Sequence, residues 1–205
     1  RPNDAAGEPS LAQMTAKAIE ILSRDDDGYF LLVEGGRIDH AHHIGNAARA
    51  LADTVAYAEA VQVALDATSA EDTLIIVTAD HGHSFTFSGY SLRGNPILGI
   101  AGGPGFAFPT DDGRPYTTLG YVNGPGAVVG ERPDISDQDT LHPDYIQQAF
   151  VPMEGETHSG EDVAVYARGP WAHLISGVIE QNYVFHVMEK AADLRGRTAR
   201  SGGTD

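Results

Sequence analysis

The feature that most constrains this fold is a pair of apolar segments that each lead directly into a cluster of carboxylates and imidazoles. Tyr29–Val33 and Leu74–Val77 are short continuous apolar runs, typical of strands buried in a parallel sheet. The polar groups that follow them are Glu34, Asp39 and His43 after the first, and Asp80, His81 and His83 after the second. Sites in open α/β sheets form outside the carboxyl ends of the strands. The pattern therefore predicts a metal site at that edge.

The segment between the two apolar runs has the pattern of one long helix. Apolar residues recur on one side of residues 38–67, which predicts a helix that connects the two strands. Strand, helix and strand of these lengths form a βαβ unit, so we expect an α/β fold with a mainly parallel sheet. Three further elements are predicted: a helix capped by Ser10 over Leu11–Leu22, a strand over Val163–Tyr166 and a helix over Ile179–Ala192.

The middle of the chain has a different character. Glycine and proline are frequent between Gly94 and Pro133, and hydrophobic periodicity fades, which is typical of turns and functional insertions. We therefore expect an α/β core over residues 1–87 and 154–195, an insertion over 88–153 and a flexible tail over 196–205.

Composition limits the possible partners. The chain has 205 residues and a formal net charge of −16, which argues against nucleic-acid or anionic-membrane binding. No apolar run is long enough to span a membrane. Part of the negative charge could be metal-ligand charge, and a solubility or salt-adapted surface remains the other explanation.

The residue types also limit the possible metals. The chain has no cysteine, so a metal would have to be held by His, Asp and Glu. Asp39 and His43 are four residues apart, so on a helix they project from one face and form a partial zinc shell. Glu34 could add an oxygen ligand suited to magnesium. For the pair alone, an ordinary exposed helix face is an equally good explanation.

Four segments together resemble alkaline phosphatases, in particular the branch that includes the animal enzymes. They are Val33–His43 (VEGGRIDHAHH), Thr78–Tyr90 (TADHGHSFTFSGY), Gly155–Asp162 (GETHSGED) and Gly169–Tyr183 (GPWAHLISGVIEQNY). The resemblance covers nearly the whole chain apart from its tail. It implies a three-layer α/β sandwich of the alkaline phosphatase type, in which residues 88–153 correspond to the crown, a variable insertion at the dimer interface.

The resemblance also implies two zinc ions and one magnesium ion. The positions that match the first zinc's ligands are Asp39, His43 and His158. Asp80 and His81 match two ligands of the second zinc, and Glu34 matches one magnesium ligand.

Other residues match positions near the metals or at the interface. His83 matches a residue that orients the Asp39 carboxylate, and His40 matches a position near bound phosphate. Tyr90 matches a tyrosine that reaches across a dimer interface, although an ordinary loop tyrosine is an equal alternative. His42 has no matched role and is expected to be a solvated helix residue.

The family mechanism needs groups that these motifs do not contain. A nucleophilic serine, a carboxylate that bridges the second zinc and magnesium, and a phosphate-binding arginine all come from the first half of the family's fold. We therefore expect the chain to be the C-terminal portion of the enzyme, with no catalytic nucleophile of its own and inactive without the N-terminal part. The implied protein is a periplasmic or secreted homodimer that hydrolyses phosphate monoesters at alkaline pH through a phosphoserine intermediate.

Two alternatives remain open. The first is another hydrolase of the same superfamily, such as a phosphodiesterase, a sulfatase or a cofactor-independent phosphoglycerate mutase. The second is a non-catalytic acidic metal-binding fragment, which the missing nucleophile favours.

Overall fold

The structure is a computed structural model that describes residues 7–201. The chain divides into two compact units. Unit 1 holds the described residues up to Leu32, together with Glu59–Asp80 and the described residues from Val163 onward. Unit 2 holds Val33–Ala58 and His81–Asp162. All but one of the predicted site residues belong to unit 2, and Asp80 is the last residue of its segment in unit 1.

Helix α1 spans Leu11–Leu22, which confirms the predicted helix and its cap. The Ser10 hydroxyl accepts a hydrogen bond from the backbone N–H of Gln13 at 3.2 Å, and the Gln13 side chain accepts one from the backbone N–H of Ser10 at 2.8 Å. This reciprocal capping box satisfies two amide donors that the first helical turn leaves without partners. Ile19 and Thr15 form the buried face of the helix.

We expect Ser10→Ala to destabilise the protein by about 1 kcal/mol, because it removes the capping acceptor of an exposed helix end. The measurement is the free energy of unfolding in urea. Ser10→Asp, which keeps an acceptor at the cap, is the control and should be close to wild type. A Ser10→Ala protein with unchanged stability would contradict a contribution from this cap.

Strand β1, Ile75–Thr78, forms the predicted second strand but pairs in an unexpected direction. Its partner is β9, Val165–Arg168, and the pair is antiparallel, with Ile75 opposite Arg168. Among the described residues the only parallel ladder joins two strands of unit 2, so the expectation of a mainly parallel sheet is wrong for this chain.

The predicted first strand, Tyr29–Val33, does not form a strand within the described residues. Its segment has no ladder partner there, and the side chains of Phe30 and Leu32 are 72% and 77% exposed. An apolar run indicates a segment suited to burial, but strand formation also requires a neighbour that accepts and donates its backbone hydrogen bonds. The βαβ unit is therefore absent from the described part of the chain.

The predicted long helix is two helices. Helix α2 spans Arg37–His43 and α3 spans Ala47–Ala67. Gly45 between them has a φ of +70°, a left-handed conformation that ends α2, and the Asn46 side chain then accepts a hydrogen bond from the backbone N–H of Arg49 at 2.9 Å. Gly45 therefore ends α2 and Asn46 caps the start of α3. The apolar periodicity continues on both sides of this pair, which is why the sequence pattern predicted a single helix.

The His81–Asp162 segment of unit 2 contains short strands among its turns. These are β2 (Gly82–His83), β3 (Phe85–Phe87), β4 (Gly102–Gly103), β5 (Phe106–Ala107), β6 (Leu119–Gly124), β7 (Ala149–Pro152) and β8 (His158–Ser159). Strand β6 lies between β3, which is antiparallel to it, and β7, which is parallel to it. Leu119 and Tyr121 of β6 are fully buried and lie in the core of unit 2.

The C-terminal part of unit 1 is helical. A 3₁₀ turn at Ala172–Leu174 is followed by α4, Tyr183–Ala191, which confirms a helix in that region with a later start than predicted. Helix α5, Leu194–Ser201, was not predicted, and residues 202–205 of the expected tail lie outside the described residues. No helix in residues 7–201 is long and apolar enough to cross a membrane.

Candidate metal centre

Helix α2 places the first two predicted ligands side by side. Asp39 and His43 are separated by one helical turn, and the Oδ1 atom of Asp39 lies 3.2 Å from Nε2 of His43. Both side chains are about one-third exposed, at 35% and 36%, so a ligand could reach them from solvent. The structure therefore brings this predicted pair together on one helix face.

A two-residue ladder supplies the other imidazoles. Strands β2 and β8 pair so that His83 lies opposite His158. Nε2 of His158 lies 3.2 Å from Oδ1 of Asp39 and 3.1 Å from Nε2 of His43. His158 is 115 residues from His43 in sequence, so residue spacing could not place it here, whereas the resemblance of the motif around it predicted this contact.

His81 completes the cluster. Its ring stacks on His158 with ring centroids 3.5 Å apart, and its Nε2 lies 3.9 Å from Oδ1 of Asp39. Among the described residues, two groups of side chains each bring their ligand atoms close enough together to hold an ion. The first is Asp39, His81, His83 and His158, and the second is His43, His83 and Glu156. Imidazole nitrogen and carboxylate oxygen are the donors that suit zinc when thiolates are absent.

The electrostatics of the cluster keep its carboxylate charged. Partial burial opposes ionisation of Asp39, but the imidazoles of His43 and His83 outweigh it, so the pKa of Asp39 lies below its usual value. Nε2 of His83 is buried without a hydrogen-bond partner, although it lies 3.2 Å from Oδ1 of Asp39. An ionised carboxylate beside an orphaned imidazole nitrogen fits a site built for a cation.

His83 is held from its other side by Glu156, a residue that the sequence reading did not assign. The side chain of His83 is 7% exposed and that of Glu156 is 0% exposed, and Nδ1 of His83 lies 2.7 Å from Oε2 of Glu156. Glu156 stands two positions before His158, so its place in the same short motif was the available signal. The contact of His83 with Asp39 agrees with its predicted orienting role, which stays a prediction.

The expectation that His42 is solvated is wrong. Its ring is half-buried, stacks on His83 with centroids 4.5 Å apart, and its Nδ1 lies 2.8 Å from the Tyr121 hydroxyl. Burial lowers the pKa of His42 to about 4, so the ring is neutral at physiological pH. Helical spacing alone could not show this, because the partner lies on β6, 79 residues away in sequence.

Four predicted residues lie outside both groups. Glu34 precedes α2 and is exposed, with its Oε1 atom folded over Gly36. His40 is exposed on α2, and Tyr90 is 97% exposed in the loop after β3. Asp80 directly precedes His81 in the chain, but it is the last residue of the Glu59–Asp80 segment of unit 1, whereas His81 belongs to unit 2.

Comparison with known proteins identifies the family of this chain. The alkaline phosphatase family model matches residues 2–194. The chain belongs to the alkaline phosphatase family. This match covers most of the chain and confirms the resemblance drawn from the four sequence segments.

Curated relatives and a solved structure agree with this family. The chain is 53% identical over 188 residues to the tissue-nonspecific isozyme of alkaline phosphatase from Gallus gallus, and 52% identical over 187 residues to that from Homo sapiens. Each match covers 90% of this chain, which spans only 35% of the relative's length.

The solved structure of a cold-active alkaline phosphatase from a psychrophilic Shewanella species is similar in fold. It matches with a TM-score of 0.57 at 21% identity, over 93% of this chain and 51% of the other. The fold of this chain is therefore alkaline phosphatase-like, and it combines helices with small sheets.

Proposed function

We propose that this chain supplies metal ligands to a centre that hydrolyses phosphate monoesters. The observation that carries the proposal is the convergence of Asp39, His43 and His158 within 3.2 Å of one another. These residues come from a helix and from a strand far along the sequence, and they include no thiolate. The names of the two curated relatives described above, both tissue-nonspecific isozymes of alkaline phosphatase, supply the substrate class.

We assign the ligands by the matched motifs. Asp39, His43 and His158 would hold the first zinc, Asp80 and His81 would hold part of the second, and Glu34 would contribute one ligand to magnesium. The 3.1 Å approach of His43 and His158 supports the first of these sites. Asp80 and Glu34 lie outside the observed groups, and His81 lies in a group with Asp39 and His158. The assignment of Asp80, His81 and Glu34 therefore rests on the motifs alone.

The chain's own residues would perform binding and orientation. Zinc supplies Lewis acidity, which stabilises a leaving alkoxide and makes water a better nucleophile near neutral pH. Asp39 brings negative charge, and the imidazoles of His43 and His158 present Nε2 atoms toward it. Nε2 of His83 lies 3.2 Å from the same carboxylate oxygen. His40, exposed on α2, would lie near bound phosphate.

The serine that attacks phosphorus would come from sequence beyond these 205 residues. The two serines closest to the cluster in sequence are poorly suited to the role. The Ser84 hydroxyl donates to Asn123 at 3.4 Å, and the Ser159 hydroxyl is buried, 2.7 Å from where a Cβ on Gly82 would lie. A bridging carboxylate and a phosphate-binding arginine would also come from an N-terminal part, and a phosphoserine would be the intermediate.

The proposed domain organisation and dimer rest on the same resemblance to alkaline phosphatases. The α/β core, a three-layer sandwich in the complete enzyme, would include residues 1–87 and 154–195, with a crown-like insertion over 88–153 and a tail over 196–205. That insertion lies wholly within unit 2, and the 97% exposure of Tyr90 in it leaves this side chain available to a second copy in a homodimer. We propose a periplasmic or secreted location for this enzyme.

Turnover of a chromogenic phosphate monoester tests the proposal. We expect no activity from the chain alone and metal-dependent activity when it is combined with the N-terminal part of an alkaline phosphatase. A phosphodiester and a sulfate ester are the comparison substrates, because faster turnover of either would indicate another hydrolase of the superfamily. Activity that survives exhaustive chelation, or no activity in any combination, would overturn the proposal.

A further inference from the structure

Glu156 carries a fully buried carboxylate and lies in the irregular segment before β8. Its side chain is 0% exposed. Burial of a carboxylate is unfavourable unless hydrogen bonds replace those that it made with water. Oε2 of Glu156 lies 2.7 Å from Nδ1 of His83, and Oε1 accepts a hydrogen bond from the backbone N–H of Ser84 at 2.5 Å. Both carboxylate oxygens are therefore used on β2 and the residue that follows it.

The backbone of Glu156 is bonded to the other side of the cluster. Its N–H donates to the carbonyl of His43 at 2.9 Å, and its own carbonyl lies 2.6 Å from Nδ1 of His43. A carbonyl oxygen can only accept, so Nδ1 of His43 carries the hydrogen in this contact. One residue thus holds both imidazoles, His83 through its side chain and His43 through its main chain.

We propose that Glu156 is the positioning residue of the metal centre, because it keeps the hydrogens of His43 and His83 on Nδ1. The Nε2 atoms of both rings are then directed at Asp39, each 3.2 Å from its Oδ1 atom. Partners of this kind orient histidines in metal sites and set their tautomer. This inference rests on the proposed function only in requiring that the cluster binds a metal.

The backbone around Glu156 is closely packed, which agrees with a fixed position for this residue. A Cβ on Gly124 of β6 would lie 3.1 Å from Cβ of Glu156, and a Cβ on Gly155 would lie 3.6 Å from the His43 carbonyl. The glutamate backbone is therefore enclosed between β6 and the end of α2. A side chain anchored in this way has little freedom to move when a ligand binds or leaves.

Glu156→Gln tests the carboxylate with almost no change of shape. The glutamine amide has one acceptor oxygen, whereas Ser84 and His83 each donate to a separate oxygen of Glu156. Its NH₂ group must therefore face one of these donors, and that hydrogen bond is lost. We expect zinc affinity of the full 205-residue chain to fall by about 10- to 100-fold, the usual effect of losing an outer contact that supports the ligands of a metal site. Zinc alone is the probe, in competition with a coloured chelator.

Glu154→Gln is the matched control, because Glu154 is exposed, stands two positions earlier and carries the same charge. It should bind zinc as the wild type does. Circular dichroism of all three proteins distinguishes a weakened site from an unfolded one. Wild-type affinity in Glu156→Gln, or an equal loss in Glu154→Gln, would overturn the proposal.

A second measurement needs no variant. Nitrogen-15 NMR of the histidine-labelled wild-type chain should show Nδ1 of both His43 and His83 bearing hydrogen, and a bare Nδ1 on His83 would overturn the proposal. Failure of the wild-type chain to bind zinc would overturn it as well. Zinc binding with the expected tautomers but without phosphatase activity in the reconstituted protein would instead refute the proposed function alone.

Discussion

Replacement of His158 by alanine is expected to remove most of the zinc affinity of this chain. The loss should exceed the roughly 10- to 100-fold effect of removing an outer partner, because the variant deletes a proposed direct ligand. Nε2 of His158 is the atom that approaches both Asp39 and His43, at 3.2 and 3.1 Å. Without it, the remaining pair on α2 offers one imidazole and one carboxylate from a single helix face.

Zinc titration with a competing chelator measures this effect. His186→Ala is the control, because His186 is 56% exposed on α4, where its Nδ1 lies 3.7 Å from Oε2 of Glu189, and it belongs to neither group of candidate ligands. His43→Ala should resemble His158→Ala, since both rings approach the same carboxylate. Stoichiometric zinc binding that is unchanged in either ligand variant would refute the assignment of the first zinc.

Replacement of Gly126 by alanine is expected to cause one of the larger losses of stability. A Cβ at Gly126 would lie 1.8 Å from the carbonyl oxygen of Gln147, far inside van der Waals contact. Gln147 is 1% exposed, and its N–H donates to the Gly45 carbonyl at 2.8 Å, in the turn that ends α2. Overpacking of this kind costs about 1–3 kcal/mol, and the displaced backbone adjoins the helix that carries His43.

The free energy of unfolding in urea, with and without zinc, measures both consequences. Gly160→Ala is a suitable control, because Gly160 lies two positions after His158 and a Cβ there would meet nothing within 4 Å. We expect Gly160→Ala to be near wild type and Gly126→Ala to lose both stability and zinc affinity. Equal stability of the two variants would show that the Gly126 backbone yields without cost.

The local features of the chain were readable from sequence because they depend on neighbours a few residues apart. The capping box at Ser10 involves a residue three positions away, and the pairing of Asp39 with His43 follows from helical spacing. Such interactions form in whatever fold contains the helix, so a spacing rule is enough to predict them.

The pairing of strands was not readable in the same way. The apolar run at Tyr29–Val33 indicated a strand, but a strand also needs a neighbour, and the described residues supply none. The parallel direction expected for β1 was inferred from the order of elements along the chain. The strand that pairs with it is β9, which begins at Val165, 90 positions after β1 begins at Ile75. Pairing over such separations is decided by the whole fold.

The sequence by itself determined the family, the ligand types of the candidate metal centre and the helix face that carries Asp39 and His43. Only the tertiary structure showed that His42 is buried against Tyr121 and that Glu156 holds both His43 and His83. The reason is physical. Ligand chemistry belongs to the side chain, whereas the orientation of an imidazole depends on hydrogen bonds to groups that folding brings from distant parts of the chain.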